Sequence, residues 1–352
     1  MSRTSERPGR LRRLALPAAA LLVVGAIGRC FLRRRPAMEP VVADLRMPVL
    51  YLPMSLRSER VLRVVRSLPA PPLPTPSGVV VESRTIATDA GDQLRVVTYE
   101  RPDRAHPGGA LLWIHGGGMV LGTPEQGHPL CGRWADELGI LVVSVDYRLA
   151  PEHPFPDGLE DCYAALGWLH HEAAALGVDT ERVAVGGDSA GGGLAAALSQ
   201  MARDRGGPGI CFQLLEYPML DDRTVLRSDH GGTGAFVWTP ASNRFAWSAY
   251  LGRPPAAGEA PLYAAPARTE DLTGLPPAWV GVGELDLFHA EDVRYADRLR
   301  SSGVACDLHV EPGMYHGADA LRAKAPTSMR FRDLMTAALR AGLDVDGAVV
   351  SA

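Results

Sequence analysis

A chain of 352 residues, 46% hydrophobic and 22% charged, has an ordinary globular balance and can bury a core without disulfides. Its net charge of −4 divides unevenly: residues 1–35 hold nine arginines against Glu6 alone, leaving 27 basic and 39 acidic residues beyond, which excludes nucleic acid as the partner of that body. The five cysteines, Cys30, Cys131, Cys162, Cys211 and Cys306, are scattered without C-x-x-C spacing, as expected of reduced thiols that form no metal site.

Residues 1–37 stand apart from the rest. The apolar run Leu14 to Gly28 lies between Arg10, Arg12, Arg13 and Arg29, Arg33, Arg34, Arg35. It falls short of the roughly 20 residues of a membrane span. No small-x-small cleavage site follows it, and Arg29 before Cys30 argues against a lipidated cysteine. A membrane anchor, a targeting segment and sequence outside the fold all stay open, so the location is expected to be cytoplasmic or membrane-associated through residues 14–28.

Residues 38–78 read as a lid-forming helix and a Pro-rich linker. Val61, Leu62, Val64, Val65 and Leu68 give an amphipathic face with arginines between them, suited to packing as a lid or to a membrane. Pro69 to Pro76 cannot be helical. Val79 to Ile86 and Leu94 to Tyr99 alternate as an antiparallel pair around a turn at Ala90 to Asp92. A buried strand, Ala110 to His115, runs into three glycines. A helix (Leu130 to Leu138) and another strand (Ile140 to Val145) follow. Asp157 is placed to cap a helix from Gly158 to about Leu176.

Strands Val183 to Val185 and Phe212 to Tyr217 come next. Residues 220–262 break the rhythm and read as an inserted lid, helical around Ala241 to Leu251. The alternation resumes with strand Ala278 to Val282, helix Ala290 to Ser302, strand Ala305 to Val310 and a last helix, Ser328 to Ala341. This alternation implies an α/β architecture: a mostly parallel sheet of about eight strands flanked by helices. The catalytic domain is expected at 79–345. No internal repeat occurs, and an edge strand or the last helix leaves room for a homodimer.

In such sheets, chemistry gathers at the carboxyl ends of the strands. Gly187-Asp-Ser-Ala-Gly191 sits between a strand and a small-residue helix, the setting of a G-x-S-x-G nucleophile elbow. Asp286 follows the strand at 278–282, and His316 follows the strand at 305–310, in the chain order Ser, Asp, His. A serine hydroxyl is a poor nucleophile without an adjacent base. His316 is expected to take the proton of Ser189, and Asp286 to fix the imidazole tautomer. Glu284 is a rival for that last role, and His309, inside a strand, is expected to be structural. The glycines after His115 leave backbone N–H groups bare, so the oxyanion donors are expected at Gly116, Gly117 and Ala190.

His115-Gly-Gly-Gly118, Asp146-Tyr-Arg-Leu-Ala-Pro-Glu152, Gly187-Asp-Ser-Ala-Gly-Gly192 and Tyr315-His-Gly317 together resemble the hormone-sensitive-lipase-like family of α/β-hydrolase esterases over roughly residues 80–342. The resemblance implies an α/β-hydrolase fold, hydrolysis of carboxylic esters of short to medium acyl chains and no cofactor. It also implies a lid built from the N-terminal helices and the segment after Pro218, with Asp146 to Glu152 as a structural loop. Ala318 departs from the family, where an aromatic often follows His-Gly. A lipase acting on longer chains is the alternative. A non-catalytic receptor on the same scaffold is disfavoured, because plant hormone receptors resembling this family lose the histidine that stands here as His316.

Overall fold

A computed structural model describes residues 28–29, 31–68, 73–88 and 91–345. The apolar run at 14–28 therefore lies outside the described residues except for Gly28, as do Cys30, residues 69–72 of the Pro-rich stretch and Ala90 in the first turn. Among the described residues, no helix is long and apolar enough to cross a membrane.

The strands are β1 (Val80–Ala87), β2 (Gln93–Glu100), β3 (Gly108–Ile114), β4 (Leu141–Val145), β5 (Val178–Asp188), β6 (Phe212–Glu216), β7 (Ala278–Gly283) and β8 (Cys306–Glu311). They form one sheet in the order β1-β2-β4-β3-β5-β6-β7-β8. The pairings of β2 with β1 and β4 are antiparallel, and all others are parallel. This is the α/β-hydrolase fold that the motifs imply.

Every residue of β3 is buried, as a central strand with helices on both faces requires. Its side chains alternate between two cores. Ala110, Leu112 and Ile114 join the core on one face, with Leu166 and Leu198. Leu111 and Trp113 join the other, with Trp134 and Phe331. At the edge, β1 turns Glu82 to solvent, where charge discourages pairing with another chain.

The longer helices are α1 (Glu59–Ser67), α2 (His128–Leu138), α3 (Asp157–His171), α4 (Ala190–Arg205), α5 (Pro240–Leu251), α6 (His289–Ser301) and α7 (Pro326–Gly342). Asp157 does not cap α3 as expected. It is the first helical residue, behind Pro156, and its carboxylate faces His153 at 3.2 Å and Arg148 at 3.6 Å. The helix also stops at His171, and a separate turn, Ala173–Leu176, follows. Thr239 caps α5 by accepting from the Ser242 N–H, with Pro240 at the first helical position.

The N-terminal stretch and α5 meet as one cap. The Leu56 N–H donates to Ser242 Oγ at 2.9 Å, and the Ser55 and Thr239 hydroxyls lie 2.8 Å apart. Arg66 on α1 donates to the Val120 and Ala150 carbonyls at 3.0 and 2.8 Å and pairs with Glu152. The apolar stripe of α1 is not packed as its pattern suggests: Leu62 is 2% exposed, but Val64 and Leu68 are 61% and 62% exposed. One leucine and one arginine therefore fasten the helix. Leu62→Ala is expected to release α1 locally, at a cost of about 2 kcal/mol. Hydrogen exchange should quicken about 30-fold at amides 61–67, while the global urea midpoint moves little.

Candidate active site

The turn after β5 is forced open at its apex. Ser189 has φ 55° and ψ −117°, a backbone state that L-residues rarely adopt. Bonds on both sides hold it there. The Ser189 N–H donates to the Glu216 carbonyl at 2.8 Å, and the Ser189 carbonyl accepts from Met219 at 2.9 Å and Gly193 at 3.0 Å. Helix α4 begins at the next residue, so its free N–H groups start beside the hydroxyl.

Two loops bring the partners. Asp286 sits in the turn between β7 and α6, fully buried, and its Oδ1 accepts the Phe288 N–H at 2.9 Å. His316 follows β8. Its Nδ1 lies 2.7 Å from Asp286 Oδ2 and its Nε2 2.9 Å from Ser189 Oγ. Three side chains set apart by 127 and 30 positions thus stand in one hydrogen-bonded line. The imidazole is walled by rings: Tyr217 at 4.7 Å, Phe288 at 5.3 Å and Trp238, from the inserted segment, at 6.3 Å.

Glu284 is not part of this line. Its carboxylate accepts the Gly313 N–H at 3.0 Å and so braces the loop that carries His316. His309 also lies elsewhere, on β8 against Glu311 at 2.8 Å. Ala318 is buried and opens a short helical turn, its N–H donating to the Tyr315 carbonyl at 3.1 Å.

The glycine loop corrects one expectation. The Gly116 N–H donates to Asp188 Oδ1 at 3.0 Å, so it is held by the elbow and is not free for a substrate. The N–H groups of Gly117, Gly118 and Ala190 make no hydrogen bond among the described residues. Gly117 must be glycine: its φ is +118°, and a Cβ there would stand 2.1 Å from the Leu121 carbonyl oxygen. His115 is buried, and its Nδ1 lies 2.8 Å from the Gly116 carbonyl oxygen. Burial pushes its pKa down to about 4, which leaves it neutral and structural.

Behind the elbow lies an acidic layer that sequence reading missed. Burial first, then Asp319, pushes the Asp188 carboxyl up to about 6. The Glu216 carboxyl is driven well above its usual range by burial and by Asp319 and Asp188. Arg332 and Tyr217 hold Asp319 at 3.1 and 2.9 Å. Among the described residues, no group of three His, Cys, Asp or Glu side chains could hold a metal ion.

The raised Asp188 value has a definite sign. The folded state holds this proton more tightly than the unfolded chain, so stability is full below the ordinary carboxylate pKa. It is lost as pH rises through the window from about 4 to about 6. Asp188→Asn keeps an acceptor for Gly116 and removes the titration. Thermal unfolding should show the variant gaining on the parent protein by up to ~3 kcal/mol between the two ends of that window. A constant difference across the window would refute the assignment.

The comparisons with known proteins agree with the fold. A profile described as alpha/beta hydrolase fold matches residues 111–320. Carboxylesterase NlhH of Mycobacterium tuberculosis is 36% identical over 291 residues, spanning 80% of this chain and 89% of that protein. The ethyl acetate hydrolase of Pseudomonas putida is 34% identical over 239 residues, 67% of this chain and 74% of that one. Among solved structures, a bacterial heroin esterase superposes with a TM-score of 0.76 at 36% identity, covering 87% of this chain and 99% of its own.

Proposed function

The chain belongs to the hormone-sensitive-lipase-like family of α/β-hydrolase-fold carboxylic ester hydrolases, and from that premise we propose that Ser189, His316 and Asp286 hydrolyse short to medium acyl esters through an acyl-enzyme. The observation that carries the reading is the line Asp286 Oδ2, His316, Ser189 Oγ, with its 2.7 and 2.9 Å separations. His316 Nε2 accepts the hydroxyl proton as Ser189 Oγ attacks the ester carbonyl. Asp286 holds the ring and stabilises the imidazolium. The tetrahedral oxyanion is received by the N–H groups of Gly117, Gly118 and Ala190, each of which contributes about 3 kcal/mol to the transition state. His316 then protonates the leaving alcohol, and water, deprotonated by the same nitrogen, releases the acid.

The preference for small acyl groups is supported by the rings of Trp238 and Phe288 crowding His316 and by the relative that hydrolyses ethyl acetate. Ser189→Ala should lower kcat on p-nitrophenyl butyrate by a factor on the order of 10⁴ to 10⁶ with the thermal midpoint preserved. Near-native turnover would overturn the assignment. A fluorophosphonate should label the parent protein at Ser189; a receptor would not react. A rate series from acetyl to palmitoyl esters should fall beyond medium length, and a maximum at the long end would give the lipase reading instead.

A further inference from the structure

The first 68 residues are strongly basic in sequence, on an otherwise acidic protein. Residues 1–68 hold 14 arginines against 4 acidic residues, a charge of +10; the remaining 284 residues, with 22 basic and 36 acidic, carry −14. The exposed large hydrophobic side chains concentrate in the same part. Val61, Val64, Val65 and Leu68 line the open side of α1, and Leu52 and Met54 stand just before it. Beyond residue 80 such side chains are scattered singly, as at Leu226, Leu262 and Met329. Arg57 just before α1, and Arg60 and Arg63 between its apolar positions, are exposed and make no ion pair among the described residues.

The chain leads into this face from upstream. The helical stretch at 31–38 is held to the cap by Phe31 stacking on Tyr51 at 4.3 Å and by Arg34 donating to the Leu52 and Ala235 carbonyls. Leu32 on that stretch is exposed, with Arg33 and Arg35 on either side of Arg34. The Leu14 to Gly28 run, with arginines before and after it, ends three residues before Phe31.

We propose that this face is a docking surface for an anionic lipid bilayer. Apolar side chains at the acyl boundary with arginines at the headgroups form the pattern that binds such surfaces. The acidic body is repelled by the same headgroups, so the charge difference orients the molecule cap-down. An exposed helix face needs no valines for its own stability, since β-branched residues weaken a helix, yet Val64 here is 61% exposed. A second copy of the chain is a poorer occupant: a twofold contact would bring the arginines of both copies together without a countercharge. The face lies on the outer side of the helix whose Arg66 bonds the Val120 and Ala150 carbonyls, so docking sets the cap of the proposed ester site against the lipid.

The full-length protein should be titrated with vesicles of equal phosphatidylcholine and phosphatidylglycerol, and with phosphatidylcholine alone. The proposal expects at least ~10-fold stronger partition into the anionic vesicles, lost when NaCl is raised to ~0.5 M. The variant V61S/V64S/V65S/L68S should partition at least ~10-fold more weakly. R60Q/R63Q should narrow the gap between the two vesicle types. Unchanged thermal midpoints show that both variants are folded, a readout independent of esterase activity. The proposal is overturned if the parent protein stays in solution, or if either folded variant partitions like the parent protein, because residues 14–28 would then suffice. It is equally overturned if sedimentation shows a stable dimer that the serine variant dissociates.

Discussion

Gly191 brings helix α4 so close to strand β3 that a Cβ at this position would lie 1.9 Å from the Ile114 carbonyl oxygen. Everything at the site depends on that approach. It lets the helix start directly against the sheet and forces the residue before it into positive φ. It also sets the glycine loop after β3 beside the turn after β5, close enough for Asp188 to receive the Gly116 N–H. The strain at Ser189 persists because three backbone bonds, to Glu216, Met219 and Gly193, over-determine it. Ser189 and the glycine loop hang from the carboxyl ends of the buried parallel strands β5 and β3, the least mobile parts of such a fold, and the His316 loop from that of the edge strand β8.

The line of Ser189, His316 and Asp286 was legible in the sequence because each residue follows a strand whose apolar run marks its end. Strand ends in a parallel sheet converge, so local pattern alone placed three distant residues together. What was not legible depends on where a single side chain turns. Glu284 and Asp286 are two positions apart in one turn, and only the structure shows one facing Gly313 and the other His316. The Gly116 N–H could not be read as occupied, since its acceptor lies 72 positions away in the chain. Asp157 carries the residue type of a cap, but Pro156 before it puts the carboxylate inside the helix, toward Arg148 and His153. Periodicity gave the stripe on α1 correctly and could not say that Leu62 alone is covered.

Burial also decides how much negative charge surrounds the site. Asp292 lies fully buried with neither carboxylate oxygen partnered, and burial together with Glu291 and Asp286 pushes it well up. Glu216, next to the elbow, is treated likewise by burial and its acidic neighbours. Were these groups ionised, they would oppose the oxyanion that the bare N–H groups are arranged to receive, in a setting where water screens little. Asp286 is the acidic side chain hydrogen-bonded to the imidazole, and Arg332 pairs with Asp319. An acid-rich lining is therefore compatible with anion stabilisation, provided that it stays dry.

Most of the cap belongs to the two cores, through Leu56, Trp238, Trp247 and Tyr250 on one face and Leu45 and Leu50 on the other, but helix α1 is attached differently. Strands and flanking helices are joined through two extensive apolar clusters. Helix α1 is joined through Leu62, the Arg66 bonds to Val120 and Ala150, and the hydroxyl cluster of Ser55, Thr239 and Ser242. Hydrogen bonds of this kind exchange for water at little net cost, each contributing about 1 kcal/mol, whereas parting an apolar core is far more costly. Helix α1 is thus the part of the cap that opens first. The segment before α5 supplies Trp238 to the histidine wall, while the outer side of α1 holds apolar and basic residues that nothing in the fold requires. A surface that binds on the outer side would bear directly on the least firmly held contacts over the serine, without any change in the sheet that positions it.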